Sequence, residues 1–174
     1  MNAKPHAEPP EGPSLEWMRE IASEKYSAIT GSVIVEEDGK YYNRLYFVFP
    51  DGSYKKYDKR QTFTLAGEHE VYESGKERLI LIYKGWKICP LVCYDLRFPV
   101  WSRNTENYDL LLYVANWPER RSLTWKTLLQ ARAIENECYV ALAGSTGSVP
   151  GLENIDVQYA QSAIFSPSDF GFPH

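Results

Sequence analysis

The stretch I-C-P-L-V-C-Y-D-L-R-F-P, Ile88 to Pro99, decides the fold class. Its first half is apolar at nearly every position, as a central strand covered on both faces is. The apolar run ends at Cys93 and polar residues follow at once, so the strand Trp86 to Cys93 turns there. Pro99 to Asn104 reads as a short helix and Leu110 to Ala115 as another buried strand. Ser122 to Asn136 carries apolar residues at helical spacing (Leu123, Trp125, Leu128, Leu129, Ala131, Ile134), and Tyr139 to Ala143 follows as a strand. Helices alternating with apolar strands indicate an α/β layer fold.

Upstream of Ile88 the signals are shorter. Residues 3–13 form a loop that proline keeps out of helix and strand. Ser14 reads as the N-cap of a helix running to about Lys25. Ala28 to Glu36 and Tyr41 to Phe49 alternate around Asp38-Gly39, a β-hairpin signal, and Asp51-Gly52 turns into a third strand at Ser53 to Tyr57. Residues 58–78 are charged and loop-like, and Leu79 to Tyr83 pairs with the strand after Lys84-Gly85. No repeat or low-complexity segment is visible.

The 174 residues suit one domain, 1–174, with a sizeable core. A hydrophobic fraction of 44% against 24% charged is that of an ordinary globular protein. The net charge of -4 gives no basic footprint, which argues against a nucleic-acid partner. No apolar run reaches the ~18 residues of a membrane-spanning helix, and the polar, Pro-rich opening lacks the apolar region of a signal peptide. Three cysteines at unframed spacing oppose a disulfide scaffold and fit a reducing, cytoplasmic location.

A thiol at a strand-to-helix turn is held exposed, with backbone N–H groups just beyond it that can face an oxyanion. A neighbouring cation would favour its thiolate. Against this stand a plain buried thiol, a Cys–His hydrolase using His69, and a zinc site, for which the C-x3-C pair Cys89/Cys93 has no second cluster. Cys89 and Cys138 read as core. Lys59 by itself reads as a solvated member of the charge cluster Lys55 to Arg60, and Glu68 as a surface carboxylate.

V-C-Y-D-L-R-F-P (Val92 to Pro99) resembles the nucleophile motif of the nitrilase superfamily, the carbon–nitrogen hydrolases, in its ω-amidase-like branch. Y-D-K-R-Q-T-F-T-L-A-G-E-H (Tyr57 to His69) resembles the lysine segment of that branch. A-N-W-P-E-R-R (Ala115 to Arg121) with L-L-Q-A-R-A-I-E-N (Leu128 to Asn136) resembles the stretch that follows. The resemblance implies an α-β-β-α sandwich and a Glu–Lys–Cys triad, with Cys93 the nucleophile, Lys59 the lysine and Glu68 a supporting carboxylate. An ammonium beside the thiol stabilises thiolate and then, with the Tyr94 backbone N–H, the tetrahedral oxyanion; a carboxylate keeps that ammonium charged and aimed. Arg97, Asn116 and Trp117 are weaker substrate-site candidates. Arg97 suits a structural salt bridge to Asp95 or Glu119, and Arg132 with Glu135 suits an ion pair at i, i+3. The implied reaction cleaves a small ω-amide to acid and ammonia through a thioester, without metal or organic cofactor, in a protein that pairs into a homodimer at full length.

Three departures from the family pattern stand out. The family's general-base glutamate lies in an L-P-E-M-F-like segment with no match here, and the opening residues resemble the loop after it. The first strand, first helix and base are therefore expected to be missing, with Glu8 and Glu11 not in a matching motif. F-S-P-S-D-F-G-F-P-H stops where the family continues, so the sandwich is expected to be incomplete and the isolated chain poorly stable and nearly inactive. Gly144 to Ala163 departs from the branch pattern, which leaves open an N-carbamoyl or aliphatic amide hydrolase. A non-catalytic fragment or binding module is the rival from another class.

Overall fold

The structure of the protein, a computed structural model, describes residues 3–117, 121–144 and 162–167. The chain divides into two compact units, Met1–Leu79 and Ile80–His174. Among the described residues no helix is long and apolar enough to cross a membrane.

In the first unit, helix α1 (Pro13–Glu24) begins on a proline whose fixed φ suits the first helical position. Its N-cap is Gly12, not Ser14. The capping chemistry comes from Glu8, whose carboxylate accepts the Ser14 backbone N–H at 2.8 Å and the Ser14 hydroxyl at 2.6 Å. A carboxylate from the preceding loop, in place of a Ser14 hydroxyl cap, accepts these donors and adds negative charge at the positive helix end. Leu15, Met18 and Ala22 share one face of α1 and are buried with Val35, Tyr46 and Val48 of the sheet.

That sheet is an antiparallel meander of β1 (Ile29–Glu37), β2 (Lys40–Val48) and β3 (Tyr54–Asp58) in sequential order. Glu37 pairs with Lys40 across Asp38-Gly39, whose φ values of +52° and +73° are those of a two-residue hairpin turn. Arg44 on β2 is 1% exposed and pairs in register with Asp58 on β3. Its guanidinium donates to Asp58 at 2.6 and 3.0 Å and to Glu37 at 2.6 Å. Burial pulls this guanidinium down, but hydrogen bonds to the two carboxylates outweigh it and hold its pKa above the ordinary arginine value. The loop expected at residues 3–13 holds a 3-10 turn, Lys4–His6, and a one-residue bridge from Glu8 to Val35.

The second unit is a five-stranded sheet in the order β4 (Leu81–Tyr83), β5 (Trp86–Val92), β6 (Leu110–Ala115), β7 (Tyr139–Gly144) and β8 (Ala163–Phe165). The pairs β5–β6 and β6–β7 are parallel; β4 and β8 add antiparallel strands at the two edges. Parallel neighbours need crossovers. The first runs through the turn at Cys93 and helix α2 (Pro99–Ser102), the second through helix α3 (Ser122–Asn136). Pro90 is tolerated in β5 because β4 reaches only as far as Ile88.

The apolar spacing read over Ser122 to Asn136 overcounts the buried face. Leu123 is 80% exposed and Ile134 41%, whereas Trp125, Leu129, Arg132, Ala133 and Asn136 are buried. Each unit thus supplies one layer of helix and one of sheet, the inventory of the expected sandwich. Strand β8 had no counterpart in the sequence reading.

Candidate active site

Strand β5 ends at Val92, and Cys93 opens a 3-10 turn, Cys93–Arg97, with φ of +47°. A left-handed backbone at a non-glycine residue costs roughly 1–2 kcal/mol and persists only where its surroundings over-determine it. The surroundings do so here. The buried Asp95 carboxylate accepts the Val92 backbone N–H at 3.0 Å, tying the turn to the strand it leaves. Arg132 of α3 donates from Nε and Nη2 to the Leu96 carbonyl at 3.1 and 2.9 Å. The Phe98 N–H closes the turn on the Asp95 carbonyl at 3.0 Å.

This places Cys93 half-buried at the carboxyl end of a parallel strand, where open α/β sheets hold their ligands. Its thiol points to the Asn116 carbonyl just past β6, with Sγ 4.0 Å from the oxygen. The Asn116 residue is exposed, and Trp117 is 5% exposed. Trp117 stacks on Trp125 at 4.2 Å between ring centroids and donates its indole N–H to the Arg121 carbonyl at 3.0 Å, so it is a fixed wall. The Arg97 guanidinium carbon lies 5.6 Å from the Trp117 ring centroid, a cation–π distance. Of the salt-bridge partners expected for Arg97, Glu119 lies outside the described residues, as does most of the divergent block after Gly144. The Tyr94 ring meets Phe98 edge to face at 5.3 Å.

The other two thiols are core, as read. Cys89 is fully buried and Cys138 is 2% exposed, with burial pushing the Cys138 thiol up to about 12. Beneath the turn, burial and the nearby Asp95 charge raise the Tyr113 phenol well above its ordinary value.

In the first unit Lys59 follows directly on β3. Despite sitting in a charge cluster it is 2% exposed, and its ammonium donates to a Glu68 carboxylate oxygen at 2.6 Å. The same oxygen accepts the Phe63 N–H at 2.7 Å. Glu68, on a 3-10 turn at Glu68–Glu70, keeps only 12% of its side chain exposed, so it is no surface carboxylate. Burial first, and then the Glu68 charge, raise the Tyr72 phenol beside it. The Lys59 backbone is held on both sides: its N–H donates to the Asn43 carbonyl at 2.9 Å and its carbonyl accepts the Gly75 N–H at 3.0 Å. A Cβ at Gly75 would sit 1.9 Å from the Asp58 carbonyl oxygen, so only glycine lets this strap lie so close. Sequence reasoning missed Gly75; the lone glycine in an E-S-G-K-E run was the available signal. His69, the base of the Cys–His alternative, is exposed on the same turn as Glu68. No group of three or more His, Cys, Asp or Glu among the described residues is arranged to hold a metal ion.

A thiol on a left-handed turn at the end of a parallel strand and, in the other unit, a buried Lys–Glu pair are the two candidate features, and comparison with known proteins gives the family. Residues 1–168 match the carbon-nitrogen hydrolase family, and the chain belongs to it. It is 50% identical over 147 residues to the omega-amidase YafV of Yersinia enterocolitica, covering 84% of this chain and 57% of that protein. It is 38% identical over 141 residues to the 2-oxoglutaramate amidase of Bacillus subtilis, covering 79% and 54%. Among solved structures, XC1258 of Xanthomonas campestris, a CN-hydrolase superfamily protein with an arsenic adduct in its active site, superposes with a TM-score of 0.83 at 44% identity. That match covers 92% of this chain and 62% of XC1258. The chain therefore has the α/β nitrilase fold, and it spans about half the length of the curated relatives it matches.

Proposed function

We propose that this chain carries the cysteine–lysine part of an ω-amidase, with Cys93 the nucleophile in cleaving a small ω-amide to acid and ammonia, and with no residue here matching the family's general-base glutamate. The observation that carries the reading is the left-handed Cys93 at the carboxyl end of β5, held by Asp95 and Arg132. Such a turn presents the thiol outward and turns the backbone N–H groups that follow, Tyr94 first, away from the line of the strand. The Cys93 thiolate adds to the amide carbon, and the carbonyl electron pair moves to oxygen. The Tyr94 N–H stabilises that oxyanion, and by the family resemblance the Lys59 ammonium, aimed by Glu68, does so with it; on collapse the C–N bond breaks, the nitrogen takes up the proton that the thiol gave up on ionising, and ammonia leaves behind a thioester. Water then adds to the thioester carbon, releasing the acid and the thiol. Asn116 and Trp117 bound the substrate beside Cys93, and Arg97 on its Trp117 platform is the cation offered to the substrate's carboxylate.

The substrate class follows the relatives named omega-amidase and 2-oxoglutaramate amidase. We assign a cytoplasmic location, on the odd number and unframed spacing of the cysteines, and a homodimer to the full-length protein on the family resemblance.

The test is alkylation of the chain by iodoacetamide across pH 5–9, with Cys93→Ala and Lys59→Met, alongside turnover of 2-oxoglutaramate. Cys93 should react well below the ordinary thiol pKa of about 8.5, and Lys59→Met should move that profile upward. An ordinary thiol profile in the unsubstituted chain would refute the proposal and favour a binding module. Activated alkylation with turnover only of N-carbamoyl or aliphatic amides would reassign the branch.

A further inference from the structure

Helix α3 turns a face of Trp125, Leu129 and Ala133 to the sheet, and in the middle of that face stands a cation. Arg132 is 4% exposed. Its Nε and Nη2 both donate to one backbone oxygen, that of Leu96, across 36 residues of sequence. Its Nη1 donates to Glu135 at 2.7 Å, and that carboxylate is 41% exposed. A buried guanidinium with one partly solvated partner is a poor way to stabilise a helix–sheet contact; an apolar side chain of similar volume commonly does as well or better. What the guanidinium adds is direction, because its planar fork fixes where one carbonyl points.

That carbonyl belongs to the Cys93–Arg97 turn. The turn has two side-chain anchors of opposite sign: Asp95 binds the N–H that precedes Cys93, and Arg132 binds the carbonyl that follows Asp95. Between them lies the residue with φ of +47°. With one anchor removed, the left-handed residue gains freedom to relax toward an ordinary conformation, and the thiol swings with it.

We propose that Arg132 is a positioning residue for Cys93, acting through the Leu96 carbonyl. This rests on the reading of Cys93 as nucleophile. Arg132 touches no reacting atom; its effect is on the aim of the thiol and of the N–H groups after it.

The test is Arg132→Met and Arg132→Lys in the full chain, read by the rate of Cys93 alkylation with iodoacetamide across pH 5–9 and by Tm. Misplacing a reacting group by about 1 Å costs on the order of 100-fold in rate. Arg132→Met should therefore slow Cys93 alkylation by about 10- to 100-fold. Arg132→Lys, which keeps the charge and one donor but loses the fork, should fall between. A purely structural role moves Tm and leaves the alkylation profile of the folded fraction unchanged, and that result overturns the proposal. Should Arg132→Met fail to fold, Arg132→Lys decides alone: alkylation equal to that of the unsubstituted chain overturns it. Should unsubstituted Cys93 alkylate as an ordinary thiol, the proposed function fails first, and the two failures are distinguished.

Discussion

Lys59 and Glu68 form a nearly buried ion pair, and a double-mutant cycle on it separates stability from chemistry. The pair is short, 2.6 Å, with side-chain exposures of 2% and 12%. At an effective dielectric of about 20, the gross attraction at that distance is roughly 6 kcal/mol. Breaking a buried pair by removing one partner typically costs about 3–5 kcal/mol, because the other charge stays behind in a poor solvent. Glu68 retains some contact with water and keeps the Phe63 N–H at 2.7 Å, so the lower end applies. Lys59→Met and Glu68→Gln should each cost about 3 kcal/mol. Glutamine preserves an oxygen for Phe63, so Lys59→Met/Glu68→Gln leaves no buried charge and should cost much less than the sum, with a coupling energy of about 3 kcal/mol. Urea unfolding followed by circular dichroism measures all four corners. On the proposed function, the double variant should also alkylate at Cys93 like an ordinary thiol. Additive losses, or singles costing under about 0.5 kcal/mol, would show the pair to be solvated in practice and the reasoning wrong.

Gly75→Ala should destabilise by about 3 kcal/mol, the upper end for overpacking, since the added carbon meets backbone at 1.9 Å. At about 2–4 °C per kcal/mol for a chain of this size, Tm should drop by about 6–12 °C. A silent Gly75→Ala would mean the strap over Lys59 is not closely packed. Native-state alkylation at pH 8 should label Cys93 alone, because Cys89 is fully buried and the Cys138 thiol is pushed up to about 12; denatured protein should take three labels. Since the Cys138 folded value exceeds the unfolded one of about 8.5, the stability it contributes is present below about pH 8.5 and lost as pH rises through the folded value. At the acid end, the Arg44 hydrogen bond holds the Glu37 carboxyl below its usual range. Its contribution is therefore present above about pH 4.3 and lost as pH falls through the lower folded value. Glu37→Gln should lower Tm at pH 7 and flatten the Tm–pH slope between pH 5 and 3. An unchanged slope would show that another group controls acid unfolding.

The sequence by itself determined the α-helices and strands as far as β7 and marked the candidate positions. Strand alternation, the Asp38-Gly39 turn and the apolar run ending at Cys93 are local signals, set by the 2.0 and 3.6 periodicities and by the conformations a turn demands. The three blocks from Tyr57 to Asn136 carried the family, and with it Lys59 and Glu68, which composition would have left on the surface. Tertiary structure alone decided what holds those positions. The Glu8 cap on α1, the Gly75 strap on the Lys59 carbonyl and the Arg132 fork on the Leu96 carbonyl all join a side chain or backbone N–H to a backbone group distant in sequence. A backbone carbonyl has the same chemistry at every residue, so its partner leaves no mark in the residue types around it. The burial of Arg132 and the exposure of Leu123 on one helix have a related cause: periodicity gives the faces of α3, and only the packed sheet and the Cys93 turn select which face is covered.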